Sequence, residues 1–482
     1  MTQDTASISL GRETAIAFSG KVVLAALGFA GVVYFYRELG PATIGIYYTV
    51  LAGGKIASQV PGGFANAIHK RVSEVDTPTA EYFSFGLGVY LLAVALGLVV
   101  VALSPSVVYE LVPTGEHLVG GFLIFASLGL FVLTNRVYAA IGNPGLSFWT
   151  DTVRSLLTLL AQLALVVLGY GEFGLIGGFV FATVVTGLGV GLLTRVRPSI
   201  PSRQTVARTF EFAKWSVPTS VTQNLYNRVD VLVIAFLVGS EAVGLYEPAL
   251  RLTVPATFIA QSIGESLVVK VSGLHSLGDD IRSDLRNAVS YTSLFSIPIF
   301  FGALAIGREL MRTVYGPSAV AGTTALVGLA LFQLLNTYTI PFDKVVNGVD
   351  RPQLQLYAGL LTLAIHLPLA FYLGAPSRLG LEGVVAATVV AEFARLVAYQ
   401  LMARNLFGGW IVTRPVGEQL LSGLVMFGAV SLAVDAVAVR SWVTLVVHLG
   451  FGGVVYFGAL VVVSRHFRGT VRNVAEDTLA GS

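Results

Sequence analysis

Cysteine is absent from all 482 residues, which excludes a disulfide framework, a thiolate metal site and a lipidated cysteine, and leaves the redox compartment open. Charge is nearly as scarce. Only 12% of the residues are Asp, Glu, Lys or Arg, against 55% hydrophobic, and mean hydropathy reaches +0.77. That is too apolar for a soluble protein of this length, so the composition predicts an all-α polytopic membrane protein. Lysine is scarce as well, with 6 against 24 arginines, so the pI near 9.0 is an arginine effect.

What the chain does have is a succession of apolar runs. A bilayer core takes about 20 residues of helix, and runs of that order fall near 14–36, 43–64, 82–103, 117–140, 151–169, 174–194 and 212–237. Seven more fall near 244–269, 287–307, 318–341, 354–374, 380–402, 417–437 and 442–464, which makes about 14 transmembrane helices. The first run holds Lys21, is too long for a signal-peptide core and is followed by no small-residue cleavage site, so it reads as a retained span.

The basic residues give the expected topology. With residue 1 placed in the cytoplasm, 20 Lys and Arg fall in the termini and even-numbered connections and five in the odd ones, Arg37, Arg308, Arg312, Arg378 and Arg440. The positive-inside rule then places both termini in the cytoplasm of a multi-pass protein of the cell membrane. The basic stretch from 195 to 214 becomes a linker beside anionic lipid and not a nucleic-acid surface.

The chain also repeats itself. "GPATIGIY" at 40–47 matches "GSEAVGLY" at 239–246, and "KRVS" at 70–73 matches "VKVS" at 269–272, both with an offset of 199. A second pair, "GLIGGFVFATVV" at 174–185 and "GLEGVVAATVV" at 380–390, aligns after a one-residue slip. These anchors predict an N-terminal six-helix lobe over 1–194, a basic linker over 195–211 and a C-terminal six-helix lobe over 212–405. Residues 406–482 hold two extra helices and a cytoplasmic tail. An even number of spans per half makes the lobes parallel repeats, related by a pseudo-twofold along the membrane normal. The repeated Gly-x4-Gly-x-Tyr reads as architecture: Gly40 and Gly239 close a sharp turn, Gly45 and Gly244 permit close helix contact, and Tyr47 and Tyr246 sit near interfacial depth.

Five basic residues remain inside spans: Lys21, Lys55, Arg228, Arg251 and Arg395. A cation at mid-span costs about 2.5–3.5 kcal/mol on insertion scales, so such groups face a cavity or a partner. Lys21 is near enough to one face to snorkel; Lys55 is deeper. Arg228 shares a helix face with Asn224, while Gln223 and Asn227 form an adjoining polar strip. Arg251 has Glu247 at i−4 and Arg395 has Glu392 at i−3, and each acid can neutralise its neighbour locally. The expected substrate-binding set is therefore Lys21, Lys55, Arg228, Arg251, Asn224 and Asn227, with Asp230, Glu247 and Glu265 as candidate ion-coupling residues. A cationic cavity between two helical halves suits a large anion, since Arg and Lys both bind phosphate oxygens. No cofactor, metal site or catalytic residue is expected, and a lone span histidine such as His366 reads as packing.

The segments "YRELGPATIGIYYTVLA", "GGFANAIHKRVSE" and "FAKWSVPTSVTQNLYNRVDVLVIAFLVGSEAVGLYEPALRL" resemble the polysaccharide (O-antigen-type) flippases of the multidrug/oligosaccharidyl-lipid/polysaccharide exporter superfamily. The resemblance covers nearly the whole chain. It implies a transporter that moves a lipid-linked oligosaccharide, on an isoprenoid phosphate or pyrophosphate carrier, from the cytoplasmic to the outer leaflet by alternating access. It also implies that Lys21, Lys55 and Arg251 occupy spans whose basic residues take the pyrophosphate in related lipid II flippases, although lysine stands at two places where arginine is expected. The last two spans would form a groove for the isoprenoid tail, and glycan-assembly enzymes are the expected partners.

Two other classes fit less well. A cation-coupled drug antiporter of the same superfamily needs membrane carboxylates, and span 1 has none in its interior. A membrane glycosyltransferase or polymerase needs a substantial outer loop with acidic or nucleophilic groups, and the longest, "SPSVVYELVPTGE" at 104–116, leaves little room.

Overall fold

The computed structural model describes residues 10–74, 77–103, 115–277, 281–349, 351–407, 411, 413–469 and 472, with side chains described from residue 27 onward except at 269, 275–277, 347, 352, 406 and 407. Among these residues there is no strand. The helices are α1 (Leu10–Ala57), α2 (Gln59–Val72), α3 (Thr79–Leu103), α4 (Gly115–Ala140), α5 (Pro144–Val167), α6 (Gly171–Thr194), α7 (Arg203–Leu237) and α8 (Ser240–Thr253). They continue with α9 (Phe258–Leu277), α10 (Arg282–Thr292), α11 (Ser296–Tyr315), α12 (Thr323–Gly348), α13 (Pro352–Leu373), α14 (Leu381–Phe407), α15 (Arg414–Ala436) and α16 (Trp442–Val463).

Ten segments among the described residues are long and apolar enough to cross a membrane. Neither α7 nor α14 is one of them, at 35 and 27 residues. Amides and charges dilute both helices, Asn224, Asn227, Arg228 and Asp230 in α7 and Glu392, Arg395 and Gln400 in α14. When interrupted helices are joined, the sequence of elements follows the fourteen-pass layout.

The chain divides into two compact units, Met1–Leu232 and Val233–Ser482, so the division falls within α7. In the first unit α7 packs along α2. Val217 lies against Gly63, where an added Cβ would meet backbone at 2.6 Å, and Ser216 Oγ donates to the Gly63 carbonyl at 2.8 Å. Asn66 donates to Ser220 Oγ at 3.3 Å, and Phe64, Phe85 and Phe210 meet edge-on from α2, α3 and α7. Beyond them Arg71 pairs with Glu74 at 2.9 Å and Glu211 at 3.0 Å, while Arg208 reaches Glu74 at 2.6 Å.

In the second unit α12 is the central helix, with Leu326, Leu329, Ala330 and Val345 almost wholly buried. The α15–α16 hairpin packs against α11, and Gly423 lets the Phe301 and Ile297 side chains approach closely. Gln419 ties the hairpin down further: its amide donates to the Ser290 carbonyl at 2.7 Å and its oxygen accepts from Ser293 at 2.8 Å.

The repeated motifs have repeated geometry. Gly40 (φ 79°, ψ 172°) and Gly239 (φ 113°, ψ 173°) hold the same left-handed, extended backbone, which an L side chain rarely adopts. Gly40 is the turn at which α1 folds into a second helical piece. Tyr47 and Tyr246 are both buried in helix packing, and Tyr47 Oη accepts from Gln162 at 2.9 Å. In the second pair of anchors, Gly178 and Gly383 each lie against the backbone of the preceding helix, at Gln162 and Leu373 respectively. The matched threonines Thr183 and Thr388 are buried and bond back to the carbonyl four residues earlier.

Candidate functional site

The second pass of each repeat is interrupted at the same register. α1 ends at Ala57 and α2 begins at Gln59; 199 residues later the helix tightens into a 3₁₀ turn over Val254–Thr257 before α9. Proline explains both breaks. Pro61 and Pro255 lack an N–H, so they cannot serve the carbonyls four residues back, those of Ala57 and Arg251, and the glycine pairs at 53–54 and 62–63 weaken the first helix further.

Each break carries a candidate cation in the turn before it. Lys55 lies in the last turn of α1 and Arg251 in the last turn of α8, where a cation complements the negative end of the helix dipole. The Lys55 carbonyl accepts from Ser58 Oγ at 2.7 Å and from the Gln59 amide at 3.1 Å, and the Lys55 side chain is half-buried. The Arg251 side chain is 37% exposed while Glu247 is 2% exposed, and they approach only to 4.0 Å. The acid is therefore sealed inside the protein while the guanidinium keeps an open side. Broken helices placing charged groups at mid-membrane are a recurrent way for transporters to build binding sites.

The other expected residues fall into three kinds of environment. Lys21 lies on α1, outside the described side chains. Asn224, Arg228 and Asp230 are half-buried on α7 and Asn227 is exposed; the Asn224 amide turns back onto the Ser220 carbonyl at 3.2 Å. Glu265 is exposed on α9 and held by Lys344 at 2.5 Å, which makes it part of a surface pair. His366 is buried and within 3.3 Å of Thr388 Oγ1, as a packed histidine would be.

A buried charge cluster on α12 and α14 is only half visible in the sequence. Arg395 on α14 does have Glu392 within 3.4 Å, but its main partner is Asp343 on α12, which also accepts from the Tyr399 hydroxyl. Glu392 accepts from Thr339 Oγ1 at 2.7 Å, and the Tyr399 ring stacks on Phe342. The side chains of Arg395, Asp343 and Glu392 are 10%, 14% and 0% exposed. The sequence hides Asp343 because the apolar run stops near residue 341, which places "FDK" in a connection, whereas α12 continues to Gly348. The usable signal was the helical spacing of Thr339 and Asp343, four residues apart on one face.

Comparison with known proteins places this geometry. The sequence profile of the polysaccharide biosynthesis protein family matches residues 36–318, more than half of the chain. The chain belongs to that family. It is 25% identical over 93% of its length to a Haloferax volcanii protein described as "Probable low-salt glycan biosynthesis flippase", covering 95% of that protein. A second Haloferax volcanii protein, described as "Probable flippase", is 23% identical over 98% of this chain and 99% of its own length. Among solved structures, the lipid II flippase MurJ in an inward closed conformation superposes with a TM-score of 0.80, at 15% identity, over 95% of this chain and 100% of that one. An inward-facing multidrug transporter of the MATE family gives 0.62, at 17% identity, over 80% and 94%. The chain therefore has the fold seen in the MurJ and MATE transporters.

Proposed function

We propose that this protein flips a lipid-linked oligosaccharide across the cell membrane by alternating access between its two repeats. The observation that carries the reading is the matched helix break of the two repeats, with Lys55 before one and Arg251 before the other. A phosphate or pyrophosphate is the part of such a substrate that a lysine or an arginine would hold. The description of one relative as a glycan biosynthesis flippase supports the same substrate class, and that of the other supports flipping. Under this reading both termini lie in the cytoplasm, the repeats correspond to the lobes at 1–194 and 212–405 joined by the linker at 195–211, and α15 and α16 form an appendage. Lys21, Arg228, Asn224 and Asn227 would complete a polar lining, with glycan-assembly enzymes supplying the substrate. Asp230 and Glu247 are the remaining carboxylates suited to ion coupling.

The test is export in cells carrying Lys55→Ala or Arg251→Ala. Both variants insert at normal abundance, because removing a charge from a half-buried site relieves desolvation. Lipid-linked glycan accumulates on the cytoplasmic side in both. Lys55→Arg retains part of the activity and Lys55→Met does not. Normal export in both alanine variants at normal abundance would overturn the assignment of these cations.

A further inference from the structure

A second group of cations lies at the foot of the C-terminal hairpin. The start of α15 and the end of α16 border an open crevice of about 710 Å³, lined by Arg414, Glu418, Val462, Arg465, His466 and Arg468 among others. Arg414 is tied to Glu418 at 3.0 Å, and those two charges offset each other. Two arginines and a histidine remain. Arg468 is fixed by donating to the Val461 and Val462 carbonyls at 2.5 and 2.8 Å, which caps the end of α16. His466 is stacked on Tyr291 and shares a hydrogen bond with its hydroxyl at 2.7 Å. Arg465 is exposed and has no ion pair among the described residues. Two of the three groups are thus held in place before any ligand arrives, which lowers the ordering entropy of binding.

The crevice wall supplies a second chemistry. Val462 is 76% exposed, and it continues a strip of exposed valines up α16 that includes Val443, Val446, Val447 and Val454. A cationic rim joined to an apolar helix face fits a ligand with an anionic head and a hydrocarbon tail. We infer that this crevice binds the headgroup of an anionic glycerophospholipid, with its chains lying along the outer face of α16. The bound lipid is a resident of the protein and is separate from the transported substrate. A free anion would gain nothing from the valine strip, and a neutral lipid would gain nothing from the arginines.

The experiment is lipid retention by the full-length protein taken from vesicles of equal phosphatidylglycerol and phosphatidylcholine, with bound lipid identified by mass. The wild type retains phosphatidylglycerol preferentially. Each arginine near anionic lipid is worth about a fivefold factor, so Arg465→Gln lowers the preference by about that and Arg465→Gln with Arg468→Gln by more than about tenfold. Arg195→Gln with Arg197→Gln removes the same charge from the linker and leaves the preference intact; an equal loss there would reduce the site to general surface charge and overturn it. Excess inorganic phosphate leaves the lipid in place, and displacement by phosphate would overturn the claim for the tail. Displacement by a stoichiometric amount of a long-chain isoprenoid phosphate would make the crevice a substrate site and overturn its resident character. Arg465→Gln carries the test if the Arg468 change disturbs the end of α16.

Discussion

Lys55 in the first compact unit and Arg395 in the second are both basic residues within helices of an apolar chain, yet their helices set different neighbours beside them. Arg395 is clasped by Asp343 and Glu392, with Tyr399 and Thr339 bonded to the two acids. Lys55 has only Leu51, Ala52, Ser58 and Gln59 at the helical neighbour positions, so its own helix offers it no carboxylate. The protein has therefore met the desolvation of a buried cation in two ways. In one place it encloses the charge in a cage of acids; in the other it leaves the charge half-buried beside a broken helix. The first arrangement resists change and fastens α12 to α14. The second sets a half-buried cation in the turn before a helix break. Arg251 stands between them, with one acid that is near but not in hydrogen-bonding contact.

The largest effect should come from breaking the cage. Arg395→Leu leaves two carboxylates buried without their cation, and removing one partner of such a set costs about 3–5 kcal/mol. Little folded protein should reach the membrane, as read by abundance and thermal unfolding. The neutral triple change Asp343→Asn, Glu392→Gln and Arg395→Leu should restore abundance, since no unpaired charge remains. If the triple variant is abundant and exports glycan, the cage is purely structural. Abundant protein without export would move the network into the transport cycle and erase the contrast with Lys55.

A smaller effect separates the two roles open to Arg251. If it only neutralises Glu247, then Glu247→Gln with Arg251→Gln restores the export lost in Arg251→Gln alone. If it binds substrate, the double variant is as abundant as the wild type and still does not export. We expect the second outcome, because the guanidinium has an open side and the acid does not. The measurement is cytoplasmic-side accumulation of lipid-linked glycan in the double and single variants at matched protein level.

These contrasts mark what the sequence could and could not convey. Apolar runs of membrane length located the passes, and the 199-residue offset found two glycines that share an unusual backbone conformation. Both signals are local, written in hydropathy and steric demand. The break after Lys55 was also local, in Pro61 and its flanking glycines, but its meaning required seeing the 3₁₀ turn at the same register of the other repeat. The cage was the least legible. Asp343 and Arg395 are 52 residues apart, and only the packing of α12 on α14 brings them together. Glu265, a candidate ion-coupling residue by its place in an apolar stretch, lies on an exposed face and pairs with Lys344. A run of hydropathy does not say which side of a helix meets the protein.

The smallest equilibrium effect, and the most informative about motion, concerns the contact of α2 with α7. Their ion pairs, Arg71 with Glu211 and Arg208 with Glu74, lie at a partly exposed edge, where a pair is worth about 0.2–1 kcal/mol. Glu211→Gln should leave abundance unchanged and alter export only slightly, because its side chain is 69% exposed and solvent screens the pair. The contact itself is another matter. Asn66 and Ser220 face each other across the two helices, and the chain has no native cysteine to confuse a designed disulfide. If α2 and α7 separate during each transport cycle, Asn66→Cys with Ser220→Cys should export normally when reduced and stop when oxidised, with recovery on reduction. Full export from the oxidised, fully cross-linked protein would mean that this helix pair moves as one body. The alternation would then have to occur elsewhere in the fold.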